Sequence, residues 1–221
     1  MQVVKKFLRI IFLRIPLGFV LFSFAAVLIL KYVPIYYTPL MLKRSIEYRN
    51  DPKFNTQKKW VPIEKISSNM SRAAVLGEDG NFYSHHGFEW HEIKNMLQEH
   101  VEDGKKIRGC STISQQTAKN VFTFCSHTWL RKASEAWWTV LIELIWGKER
   151  IMEVYLNVAE MGKGIYGVEA ASEHYFRHSA AKMSRSEASA LVCCLPNPLK
   201  RTPSRIMEKN SAKYRMIMRN I

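Results

Sequence analysis

Residues 15–30, IPLGFVLFSFAAVLIL, form an uncharged and almost wholly apolar run. No other stretch constrains the fold as strongly, because such a segment must lie in a core or in a bilayer. As a helix it is roughly 24 Å long, short of the ~30 Å hydrocarbon thickness. Continuing past Lys31 to Val33 closes most of that gap, since a lysine can carry its ammonium out to the headgroups. Tyr32, Tyr36 and Tyr37 follow, as at a membrane interface, and Pro16 falls in the first turn, where a helix tolerates it. A cleaved signal peptide is the competing reading, with Lys5, Lys6, Arg9 and Arg14 as its basic leader. The small pair Ala25-Ala26 lies inside the run, however, and no polar A-x-A site follows it. The pattern predicts a basic segment at 1–14 and a retained single-pass anchor at 15–33. Lys31, Lys43, Arg44 and Arg49 balance the basic residues before the span, so charge alone does not orient it.

The chain has 221 residues, enough for one packed domain beyond the anchor. Its composition, 47% hydrophobic and 24% charged, excludes a disordered chain, a collagen-like fibre and a polytopic membrane protein. The net charge of +14 points to an anionic partner. Most of it sits at the ends, since residues 1–50 and 200–221 are strongly basic and the body between them is nearly neutral. A nucleic-acid-binding domain would carry its basic stripe on the body, so nucleic acid is not expected as a partner. The end charges suit an anionic bilayer. Cys110, Cys125, Cys193 and Cys194 show no zinc spacing, and buried thiols are the expectation.

Pro34, Pro39, Pro52 and Pro62 punctuate residues 34–68, which read as a linker leading into a domain at 69–205, with a basic segment at 206–221 behind it. From Ser71 onward the pattern is helical: a short helix into Gly80-Asn81, a second from Glu89 to Val101, and a third whose N-cap is Ser111-Thr112. Residues 130–146 form a helix too apolar to be exposed, and 148–160 and 168–176 are helical. Ser184-x-x-Glu187 is a capping box for a helix that Pro196 stops. No alternating strand pattern, phosphate loop or repeat is visible. The expected fold class is mainly α.

Several polar residues are not needed to build helices. Glu78-Asp79 end a helix, where the dipole disfavours carboxylates, so another contact should hold them; a solvated helix end is the plainer alternative. Between Gly109 and Asn120 the chain carries Ser111, Thr112, Ser114, Gln115, Gln116, Lys119 and Asn120. Positions 112, 116 and 119 share one helical face, and the residues between 104 and 134 include no acid, which suits an anion site. Arg131-Lys132 precede Glu135 by one turn; the pattern fits an intrahelical ion pair or a cation-poised acid.

Taken in order, Glu78-Asp79-x-x-Phe82-x-x-His85-x-Gly87, Gly109-x-Ser-Thr-Ile-x-Gln-Gln-x-x-Lys-Asn120, Arg131-Lys132-x-x-Glu135, Lys148-x-x-Ile-Met-Glu-x-Tyr-Leu-Asn157 and Tyr166-Gly-Val-Glu-Ala-Ala171 resemble the bacterial peptidoglycan glycosyltransferase family. The match spans about Arg72 to Pro203. The resemblance implies a lysozyme-like helical domain that polymerises lipid II at the outer face of the bacterial cytoplasmic (inner) membrane. The chain is similar to the monofunctional, anchored form, and its lone Ser179-x-x-Lys182 lacks the companion motifs of a transpeptidase. The sequence departs from the usual pattern at Cys110, Met152 and His178, the last of which removes a common lysine.

By that resemblance the growing strand is the donor and the 4-hydroxyl of lipid II the acceptor. Inversion at C1 gives a β-1,4 link and releases undecaprenyl diphosphate. Glu78 would be the base, and Glu135 would assist near the leaving group, directly or through a divalent cation. Lys119, Arg131 and Lys132 would hold diphosphate oxygens. Ser111, Thr112, Gln115, Gln116 and Asn120 would shape the cleft, with Asp79, Phe82 and His85 positioning Glu78 and Glu153 and Tyr155 buttressing the fold. No tightly bound cofactor and no metal ligands are implied, beyond Mg²⁺ or Mn²⁺ accompanying the diphosphate. The implied partners are lipid II, the lipid-linked strand, the membrane and other cell-wall synthases. A membrane-anchored lysozyme-like hydrolase is the alternative, as is a non-catalytic anchored scaffold; neither needs the Lys119, Arg131 and Lys132 cations.

Overall fold

Helix α1, Ile15–Tyr32, is the apolar run, with Pro16 in its first turn. The computed structural model of the chain describes residues 13–104, 111–123 and 129–221. The basic side chains Lys5, Lys6 and Arg9, and the thiols Cys110 and Cys125, lie outside the described residues. Among the described residues α1 is the helix long and apolar enough to cross a membrane. Leu17, Leu21, Phe22, Leu28 and Ile29 stand more than half exposed along it, an arrangement that water disfavours and acyl chains do not. Ser23 is buried, and its hydroxyl donates back to the Val20 carbonyl (2.8 Å).

The far end of α1 is gripped by the domain. The Trp146 indole N–H donates to the Val27 carbonyl (2.7 Å), and Arg150 donates to the Leu30 and Val33 carbonyls (2.8 and 2.6 Å). The Lys58 ammonium reaches the Ile35 carbonyl. A helix C-terminus leaves its last carbonyls unpaired and negative, so cations are the physically suited caps. Lys58 is mostly buried there, which pushes its ammonium down to about 8.

The 34–68 stretch, expected to be a linker, is built into the body. Thr38 accepts the Met41 N–H (3.3 Å) and Pro39 takes the first position of helix α2, Pro39–Glu47. Strand β1, Gln57–Lys58, follows, then a 3₁₀ turn at Ile63–Lys65. Asn157 pins this stretch by accepting from Val61 N–H (2.9 Å) and donating to the Val61 carbonyl (2.8 Å).

Helix α3 is Ser68–Glu78, α4 Trp90–Asp103, α5 Ile113–Phe122, α6 Trp129–Ile145 and α7 Lys148–Val158. A three-stranded sheet interrupts the helices, in the order β1-β3-β2, with β2 Glu160–Gly162 and β3 Ile165–Tyr166. β1 runs parallel to β3 and β2 antiparallel. Strands this short cannot display alternation, so the sequence pattern missed them. Helix α8 is Val168–Phe176, α9 Arg185–Cys194, α10 Pro203–Lys209 and α11 Ala212–Asn220. The fold is mainly α, as expected.

Two packing centres position the site. In one, Phe122 of α5 stacks on Trp138 of α6 (4.3 Å between ring centres), and Phe19 of α1 meets Trp137 and Trp138 (6.0 and 6.2 Å). Such pairs add about 0.5–1.5 kcal/mol each beyond burial and tie α1 to the site-bearing helices. In the other, α9 is buried from Ala188 to Cys194 and packs against α3, α10 and α11. Contact with α3 is so close that a Cβ on Gly77 would lie 2.4 Å from Val192 Cγ1. Cys193 and Cys194 are free buried thiols, the second pushed up to about 12 by burial. The basic 206–221 segment folds into α10 and α11, with Tyr214 and Ile217 buried.

Candidate active site

The carboxylate pair at the end of α3 divides its work. Asp79 turns inward and accepts the Ile113 N–H (2.8 Å), placing its charge at the N-terminus of α5. A carboxylate disfavoured at the C-terminus of one helix is thereby favoured at the start of another. Both its oxygens lie 3.0 Å from His85 Nε2. The other ring nitrogen, Nδ1, accepts the Gly87 N–H (2.9 Å), so the proton shared with Asp79 sits on Nε2. Gly87 has φ +93 and lies against Thr139, and its carbonyl accepts from the Thr112 hydroxyl (2.7 Å). Phe82 is fully buried and meets His85 edge-on, with the Lys148 ammonium 4.6 Å from its ring centre. Lys148 in turn pairs with Glu143 (2.7 Å), which also accepts from the Ser114 hydroxyl.

Glu78 faces the cleft. Gln116 Nε2 donates to its Oε2 (3.2 Å), and Lys213 of α11 lies 3.4 Å from its Oε1. Lys213 was invisible as a site residue in the sequence, where it counted only toward a basic tail. Tyr155 lies close enough for Glu78 and Asp79 to act on it: burial first, then these two charges, raises its hydroxyl well above the usual range. That hydroxyl is buried and has no hydrogen-bond partner among the described residues.

The other predicted residues separate by position. Thr112 is the N-cap of α5, and the Gln115 side chain closes its capping box by accepting the Thr112 N–H (3.0 Å). Gln115 therefore serves the helix end and lines neither half of the cleft, whereas Ser111, Thr112, Gln116 and Lys119 do. Asn120 and Arg131 line the second half. Glu135 is 2% exposed and ion-paired with Arg131 and with Lys132 (3.1 Å), below the surface that Arg131 presents. Lys132 itself is half exposed and outside both halves.

The cleft has two ends of opposite charge. One, of about 790 Å³, is lined by Glu78, Asp79, Glu89, Glu92 and Glu99 with Lys119 and Lys213. The other, of about 410 Å³, is lined by Lys43, Arg44, Lys119 and Arg131, with Glu160 the sole carboxylate among its lining residues. Gln116, Lys119 and Pro196 belong to both, so the two ends meet beside Glu78. Arg44 ties α2 into the second end through Glu160 (3.1 Å), whose carboxyl is raised mainly by burial. Such a cleft can place an anionic group over Lys119 and Arg131 while an uncharged hydroxyl approaches Glu78. Among the described residues, no three histidine, cysteine or acidic side chains converge to hold a metal ion, and Glu135 already carries two cations.

Comparison with known proteins matches the transglycosylase family profile to residues 46–221. The relatives include biosynthetic peptidoglycan transglycosylases of Pasteurella multocida (44% identical, 88% of this chain, 79% of the relative) and Pseudomonas entomophila (46%, 87% and 81%). A third, from Shewanella oneidensis, is 42% identical over 94% of this chain and 90% of its own length.

Proposed function

The chain belongs to the transglycosylase family, with its lysozyme-like, mainly helical domain, and is a peptidoglycan glycosyltransferase; from that premise we propose that it polymerises lipid II with inversion at C1 and release of undecaprenyl diphosphate. The observation that carries this reading is the junction of the two cleft ends, where a carboxylate, Glu78, sits beside the cationic half. In one displacement, Glu78 takes the proton of the acceptor 4-hydroxyl as that oxygen forms a bond to donor C1. The C1–O bond to the diphosphate breaks on the opposite face, and its electron pair leaves on the diphosphate. Lys119 and Arg131 stabilise that developing charge, with Arg131 suited to two phosphate oxygens at once. Glu135 acts as a positioning residue that holds Arg131 and Lys132 from below.

The lipid-linked substrate fits a site held at a bilayer. Helix α6 contacts the anchor and exposes Leu130, Val140 and Leu144 along one face. With that face and the exposed apolar side chains of α1 both in acyl chains, the cleft would lie near the headgroups, on the outer side of the inner membrane in this reading. A hydrolase would leave the Lys119 and Arg131 end without a diphosphate to bind. The test is purified protein incubated with lipid II, products resolved on a gel, with and without moenomycin. Glu78→Gln should lower polymerisation by roughly 10²–10⁴-fold while lipid II binding persists. Strand extension by the variant near the wild-type rate would remove Glu78 as the base.

A further inference from the structure

Beyond the two cleft ends lies a recess of about 560 Å³ that the reaction does not use. Lys53, Lys163, Lys200, Arg201, Arg205 and His174 surround it, and no carboxylate is among its lining residues. Lys163 pairs with Asp51 and Arg201 donates to the Cys193 carbonyl (3.0 Å), while Lys53, Lys200 and Arg205 have no ion-pair partner among the described residues. The walls come from four places in the chain: the stretch before β1, the β2–β3 hairpin, the end of α8 and the turn into α10. Tyr175 stiffens the floor by donating to the Met161 carbonyl (3.4 Å). Cations gathered from separate elements repel one another, so the arrangement is stabilised when an anion with several charges lies among them.

We propose that this recess is a subsite for the peptide carboxylates of the elongating glycan strand. The inference rests on the polymerase reading above. Continuity favours it: Pro198 and Leu199 line both this recess and the Arg131 end of the cleft, so a polymer lying across the site passes from one into the other. The recess also lacks the apolar rim that a lipid headgroup site needs beside it. The large exposed apolar side chains lie mainly on α1, α4 and α6, with Leu199 the one on this rim. A peptide-bearing strand offers repeated carboxylates without acyl chains, which is the chemistry the walls match.

The full-length protein in detergent is titrated with soluble peptide-bearing glycan fragments, and with the same fragments after their carboxyls are amidated. Wild type should bind the acid form with an affinity that falls as salt rises. Lys200→Gln/Arg205→Gln should bind it roughly 3- to 10-fold more weakly, and amidated fragments should not distinguish the two proteins. Equal binding of the acid form by both overturns the subsite. So does a loss seen only on phosphatidylglycerol vesicles, which makes the recess a headgroup site. An unfolding midpoint is measured for the variant, and Lys53→Gln/Lys200→Gln replaces it if that midpoint has fallen. Polymerisation of lipid II by wild type is scored separately: if it fails, the parent reading falls, and if it succeeds while fragment binding is unaltered, the subsite alone falls.

Discussion

Substituting Asp79 tests the packing logic of the site without touching the cleft-facing carboxylate. Asp79 satisfies the Ile113 N–H and the His85 Nε2–H at a position whose side chain is 2% exposed. Asp79→Asn keeps the shape but puts an amide NH₂ where Oδ1 lies 3.0 Å from His85 Nε2, so that buried N–H donor faces a second donor. An unsatisfied buried donor costs about 1–3 kcal/mol, and loss of the charge at the start of α5 adds about 0.3–1 kcal/mol. For a chain of this size 1 kcal/mol corresponds to about 2–4 °C, so the unfolding midpoint should fall by roughly 3–16 °C. Thermal unfolding of wild type, Asp79→Asn, His85→Gln and the double variant in one detergent forms a cycle. Because His85 binds Asp79 directly, the two losses should couple by about 0.5–3 kcal/mol. Additive losses, or an Asp79→Asn midpoint within a degree of wild type, would refute the claim that this carboxylate ties α3, the His85 turn and α5 together. If Asp79 serves the proposed reaction only by positioning Glu78, turnover should fall with little change in lipid II affinity.

Gly77→Ala should lower stability by about 1–3 kcal/mol through overpacking, because its Cβ would meet Val192 at 2.4 Å; Gly77→Ala/Val192→Ala should recover part of it in urea unfolding. At the collar, Lys58 is held down to about 8 by burial, against 10.5 for the free side chain. The unfolded chain therefore binds the extra proton between those values, and stability should rise with pH across that window. Lys58→Met should flatten the rise, measured as unfolding midpoints from pH 7.5 to 10.

Local chemistry was legible where neighbours in sequence are neighbours in space. The N-cap at Thr112, the capping box Ser184–Glu187 and the left-handed Gly104 ending α4 needed nothing beyond a few adjacent residues. Helix α2 was missed although Thr38-Pro39 is itself a helix-start pattern, because the surrounding prolines suggested a linker. Gln115 was expected in the cleft by the family resemblance, whereas its side-chain oxygen is spent on the cap.

An apolar helix long enough to cross a membrane, a mainly helical body and a set of polar residues that helix formation does not require were already written in the sequence, since periodicity and capping are properties of short segments. Tertiary structure decided which of those residues meet. It carried the Asp79 charge to a helix start 34 residues away, where the dipole welcomes it. It also brought Lys213 from the C-terminal helix to Glu78 and set Lys43 and Arg44, from the basic N-terminal region, beside Lys119 and Arg131 at one cleft end. Net charge is a sum over the chain, but the field at a reacting group depends on distance, and the packing of distant segments sets that distance.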